Sequence, residues 1–130
     1  MGKPGADRAR SRGGRLAALT GLILATAANA GAPEVVGIEV EKVGGDSFRV
    51  SATLRHGDEG WDHYADGWVV LDEAGNVLGD RVLAHPHVDE QPFTRSLTVT
   101  IPAGVERIRV RPRDSVHGEG EPGEWITVER

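Results

Sequence analysis

The chain has 130 residues, with 15 Lys+Arg against 20 Asp+Glu, 5 His, 18 Gly and no Cys. That length suits one domain. The lack of Cys excludes disulfides, thiolate metal centres, iron–sulfur clusters and a thiol nucleophile.

Residues 1–30 read as an address. Lys3, Arg8, Arg10, Arg12 and Arg15 stand against a single acid, Asp7. Leu16 to Ala27 is uncharged and mostly apolar, and Ala28-Asn29-Ala30 follows. A basic start, a short apolar run and an A-x-A site together predict a secretory signal peptide cleaved before Gly31. The run is short of the roughly 20 apolar residues that span a bilayer, so no stable membrane anchor is expected. No Arg pair precedes it, which disfavours a twin-arginine signal, and no Cys is present to carry a lipid. The protein is expected to be exported, periplasmic or secreted. The remaining residues 31–130 keep 10 Lys+Arg against 19 Asp+Glu, a net of −9. Such a field repels nucleic acid and anionic lipid.

Residues 31–130 alternate with period two, as half-buried strands do. The first strand is expected over Val35–Val43, closed by the Gly44-Gly45-Asp46 turn. The second spans Ser47–Arg55, with Phe48, Val50, Ala52 and Leu54 facing in. A third, Gly67–Asp72, is apolar on both faces, and Trp68 reads as a core anchor. The fourth is Val77–Ala84, after Ala74-Gly75-Asn76. The fifth, Phe93–Ile101, ends at Pro102-Ala103-Gly104. The sixth, Val105–Arg113, sets Ile108 and Val110 against Arg107, Arg109 and Arg111. The seventh is Glu124–Glu129.

Seven short strands with regular turns predict an all-β fold, a seven-stranded antiparallel Greek-key sandwich. The pattern resembles the immunoglobulin and fibronectin type III folds over Ala32–Arg130, on their disulfide-free side. That resemblance implies that the second–third, fourth–fifth and sixth–seventh connections meet at one end.

Those three connections, His56–Asp66, His85–Pro92 and Asp114–Gly123, hold every histidine of the chain: His56, His63, His85, His87 and His117. Asp58, Glu59, Asp62, Asp66, Asp89, Glu90 and Asp114 lie among them. Imidazoles and carboxylates on rigid strand ends suit a divalent cation. The candidate ligands are His56, His63, His85, His87, His117, Asp62 and Asp114. In His85-Pro86-His87, residues i and i+2 of extended backbone point the same way. Without sulfur, blue-copper sites are excluded. The set favours Cu(II) or Zn(II) over Ni(II) or Fe(II), and the acids keep Ca²⁺ open.

Three other readings of these loops stay open. The histidines can be solvated or hydrogen-bonded to acids that order the loops. They can form a pH-sensing cluster. The loops can instead serve a non-enzymatic adhesion or interaction module that binds a protein or glycan. Trp61 and Tyr64 are expected to pack the first loop down rather than form a binding platform. The arginines of the sixth strand are expected to pair with acids on neighbouring strands, and Arg95 with a loop acid. Ser115 and His117 lack the geometry of a triad, and no nucleophile elbow is present. The sequence specifies no reaction.

Overall fold

The computed structural model describes residues 31–130. The expected signal peptide, residues 1–30, lies outside the described residues. Eight strands follow in order: β1 (Glu34–Gly44), β2 (Ser47–Arg55), β3 (Ala65–Leu71), β4 (Val77–Val82), β5 (Phe93–Thr100), β6 (Arg107–Asp114), β7 (Gly118–Glu119) and β8 (Ile126–Thr127). One sheet runs β1-β2-β5. The other runs β4-β3-β6-β7, with β8 also on β6. All pairings are antiparallel.

Eight strands, rather than the expected seven, have a local cause. The expected last strand, Glu124–Glu129, pairs as sheet only at β8, and the expected loop before it contains β7. Both short strands lie along β6, through Arg113↔Glu119 and Asp114↔Gly118 and through Arg107↔Thr127 and Ile108↔Ile126. Between them the chain still follows β6, donating from Gly120 N to Pro112 O (2.7 Å) and from Gly123 N to Val110 O (2.8 Å). Pro122 has no N–H to give. The edge is therefore interrupted rather than absent.

The core lies between the sheets. Phe48, Val50, Ala52 and Leu54 of β2 face Trp68 and Val70 of β3 and Ile108 and Val110 of β6, all buried. Burial of these side chains is the main driving force of a disulfide-free domain this small. The opposite face of β6 is charged and paired. Arg107 reaches Glu73 (2.8 Å), Arg111 reaches Glu119 (2.7 Å) and Arg113 reaches Asp80 (3.0 Å). Arg109 lies over the Trp125 ring, 4.3 Å from its centroid, a cation–π contact.

Two inward rows overrun their expected lengths, and this positions the site. On β2 the buried row Phe48-Val50-Ala52-Leu54 continues into His56 and then Asp58, both buried. On β6 the row Ile108-Val110-Pro112 continues into Asp114, also buried. Period-two alternation thus carries polar side chains into the end of the core.

Candidate metal centre

Three imidazoles converge on one carboxylate oxygen. Asp114 Oδ2 lies 3.1 Å from His56 Nε2, 3.0 Å from His63 Nε2 and 2.9 Å from His117 Nδ1. These rings come from the end of β2, the β2–β3 loop and the β6–β7 turn. The turn is shaped by Asp114 itself. Its Oδ1 accepts Val116 N–H at 3.0 Å and the N–H of His117, an Asx-type arrangement that folds His117 back over the carboxylate. Gly118, at φ 74°, adopts the left-handed backbone that ends the turn.

A second layer of carboxylates orients the rings. His56 Nδ1 is 2.5 Å from Asp58 Oδ1, and His63 Nδ1 is 2.8 Å from Glu59 Oε1. Both rings are thereby aimed with Nε2 toward Asp114, the arrangement in which carboxylates fix metal-ligating histidines. Each ring thus has a carboxylate oxygen at both of its nitrogens.

The electrostatics follow from this crowding. Burial is the largest influence on Asp114 and pushes its carboxyl up. The hydrogen bonds from the His117 side chain and backbone, from His63 and from Val116 N–H outweigh it and hold the carboxyl far below the usual range. His63 is raised above its ordinary 6.5, first by its bond to Glu59 and then by Asp114, against a smaller desolvation.

The remaining candidates lie apart from this set. Ligand atoms of His56, His63 and Asp114 fall within 4.8 Å of one another, the one such group among the described residues, and His117 joins it through its contact with Asp114 Oδ2 alone. His87 is buried and stacks on Phe93, with centroids 4.0 Å apart and planes 8° apart. Neither ring nitrogen of His87 has a hydrogen-bond partner. Burial, then the positive charges of Arg95 and His85, hold its pKa below 6.5. His85 is exposed beside it, with ring centroids 4.9 Å apart. Asp62 is exposed. Backbone bonds still tie the His87 loop to the centre: His87 N–H donates to Asp58 Oδ2 (2.6 Å), and His56 N–H donates to Gln91 Oε1 (2.9 Å).

The sequence presents Asp58 and Glu59 only as loop acids, and Gly31 only as the first residue after the expected cleavage site. Asp58 could have been found by extending the β2 alternation two steps beyond Leu54. Glu59 stands four residues before His63, within the same loop. Ser115 is structural, because its Oγ accepts Tyr64 N–H at 3.0 Å. Trp68 is fully buried, as expected of a core anchor. Arg95 pairs with the loop acid Glu90 at 3.1 Å. Trp61 differs from expectation. It is 68% exposed and meets Tyr64 only edge-on, at 5.6 Å, because the tight Gly60 bend at φ 95° turns it outward.

A protein of Halomicrobium mukohataei named "Putative lipoprotein" is 44% identical over 86 residues. The match covers 66% of this chain and 42% of that protein, so the chain spans less than half the length of this curated relative. No family model matches the chain, and no solved structure matches it significantly.

Proposed function

We propose that the protein is an exported β-sandwich that holds a divalent transition metal, Cu(II) or Zn(II), through His56, His63, His117 and Asp114. The observation that carries this reading is the approach of three ring nitrogens, from three separate segments, to within 3.1 Å of Asp114 Oδ2. Three imidazoles and a carboxylate without sulfur suit these two ions. Asp58 and Glu59 supply the outer carboxylates that such a site uses. Export is supported by the leader-like composition of residues 1–30 and by the relative's lipoprotein name. The strand orders β1-β2-β5 and β4-β3-β6-β7 support a Greek-key arrangement of the fibronectin type III kind.

The test is titration of untagged protein with Cu(II) and Zn(II), followed by calorimetry and proton release. One ion per chain is expected, with proton release as it displaces the proton that Glu59 and Asp114 favour on His63. Binding that survives His63→Ala combined with His117→Ala would overturn the assignment.

A second reading uses the same end of the molecule as a docking tip for a protein or glycan. Exposed Trp61 stands beside a shallow hollow lined by Gly60, His85, Pro86, His87 and Val88. Aromatic platforms of this kind bind sugars and peptides. A glycan array probed with wild type and Trp61→Ala tests it: Trp61-dependent binding without metal supports this alternative.

A further inference from the structure

The backbone of Gly31 belongs to the ring cluster. Its carbonyl oxygen is 3.2 Å from His56 Nε2, the nitrogen that also faces Asp114. A Cβ on Gly31 would stand 2.8 Å from His117 Cε1 and 3.0 Å from His117 Nε2, so the glycine lies directly against that ring. Sheet register explains the position. Glu34 pairs with Arg55, so the residues just before β1 meet those just after β2. Gly31 is also the residue that follows Ala28-Asn29-Ala30, the expected cleavage site.

While the Ala30–Gly31 bond is intact, the nitrogen of Gly31 is a peptide amide whose lone pair is delocalised. Hydrolysis of that bond consumes one water, leaving a carboxylate on Ala30 and an amine on Gly31. The amine nitrogen has a free lone pair to offer, which the peptide nitrogen lacks. That nitrogen is three covalent bonds from the carbonyl oxygen already at His56 Nε2, so the two atoms can close a five-membered chelate ring on an ion held there.

We propose that the processed amino terminus is itself a ligand: cleavage before Gly31 adds an amine nitrogen and a carbonyl oxygen to the imidazole–carboxylate set, and so completes the site only after export. This inference rests on the metal reading above. It makes the unprocessed precursor the weaker binder, keeping the site from filling tightly before translocation.

The experiment compares the exported, processed protein with the 130-residue precursor made without export, each titrated with Cu(II). Intact mass identifies the first residue of the processed form. The processed protein is expected to bind at least about tenfold more tightly, because a tethered donor acts at high effective concentration. Its Cu(II) electron paramagnetic resonance spectrum is expected to show one more coupled nitrogen than the precursor's. Lys42 is the only lysine in residues 31–130. In a Lys42→Arg background, acetylation therefore reaches the α-amine alone, and it should return both readouts to precursor values. Equal affinity and identical spectra, or a mature chain that begins elsewhere, would overturn the proposal. If both forms bind equally and His63→Ala abolishes binding, the amine proposal fails and the metal centre stands. If neither form binds, both fall.

Discussion

His56 and Asp58, two residues apart, form a buried pair: Nδ1 lies 2.5 Å from Oδ1, and the side chains are 1% and 0% exposed. The same carboxylate accepts Ala65 N–H at 3.1 Å and His87 N–H at 2.6 Å. Asp58 therefore joins the end of β2, the start of β3 and the β4–β5 loop. Asp58→Ala would leave three buried donors without an acceptor, each costing about 1–3 kcal/mol. The variant is expected to lose roughly 3 kcal/mol or more by urea unfolding. Asp58→Asn keeps one acceptor oxygen, loses the charge that orients His56 and sets its NH2 against the His87 N–H, so it should cost less stability than Asp58→Ala. It should remain folded and bind metal about 10–100-fold more weakly. An Asp58→Ala protein of wild-type stability would remove Asp58 from this role.

The five histidines are expected to separate into two groups in metal titrations. Ala at His56, His63 or His117 should each weaken Cu(II) or Zn(II) binding by about tenfold or more, since each removes an inner donor. His85→Ala should leave affinity within about twofold, because the exposed ring lies outside the cluster. A larger loss in His85→Ala than in His117→Ala would shift the site to the His85-Pro86-His87 loop.

The pH dependence of stability is expected to change sign when metal is bound. His63 is raised above 6.5 in the fold, chiefly by Glu59 and then Asp114. A raised folded-state value contributes stability that is fully present below the unfolded value of 6.5 and is lost as pH rises through the folded one. The contribution of His63 to metal-free Tm should therefore fall across the window just above 6.5. With Zn(II) present the ion competes with the same proton, so affinity and Tm should rise over that window. Melting curves of wild type and His63→Gln, each with and without Zn(II), check this. An unchanged metal-free slope in His63→Gln would remove His63 as its source.

The two sheets are in close contact at Gly79 of β4. A Cβ there would lie 2.4 Å from Val99 Cγ1 and 2.8 Å from Leu97 Cδ2, both on β5 of the other sheet. The γ-carbon of a valine has little room to retreat. Gly79→Ala is expected to cost about 1–3 kcal/mol through overpacking, measured by urea unfolding, with metal affinity unchanged. A neutral or stabilising result would mean that the sheets can separate at this edge.

Much of this architecture is legible in the residues alone. Alternation in Ser47–Arg55 gives β2 its observed bounds, and the Gly44-Gly45-Asp46 turn pairs it with β1. The final strand is less legible. Pro122 and Gly123 interrupt its backbone donors, and only the neighbouring β6 shows that the chain keeps its course. The position of Trp61 also depends on the backbone, since Gly60 allows a conformation that composition does not announce.

Covalent order alone supplies the chemical inventory: five imidazoles, many carboxylates, no thiol, and the alternation that drives Leu54's row on to His56 and Pro112's row on to Asp114. Those features are local, because side-chain direction in a strand follows from pleat and period. Which imidazoles become neighbours is not local. His56 and Asp114 are 58 residues apart, and they meet because β2 and β6 belong to facing sheets whose inward rows end at the same level. His85 and His87 share their spacing with many solvated pairs. The Phe93 ring and the packing of the β4–β5 loop hold them outside the cluster. Gly31 enters it through the register of β1 on β2. Packing and register are properties of the assembled sheets, so the folded molecule alone selects this set.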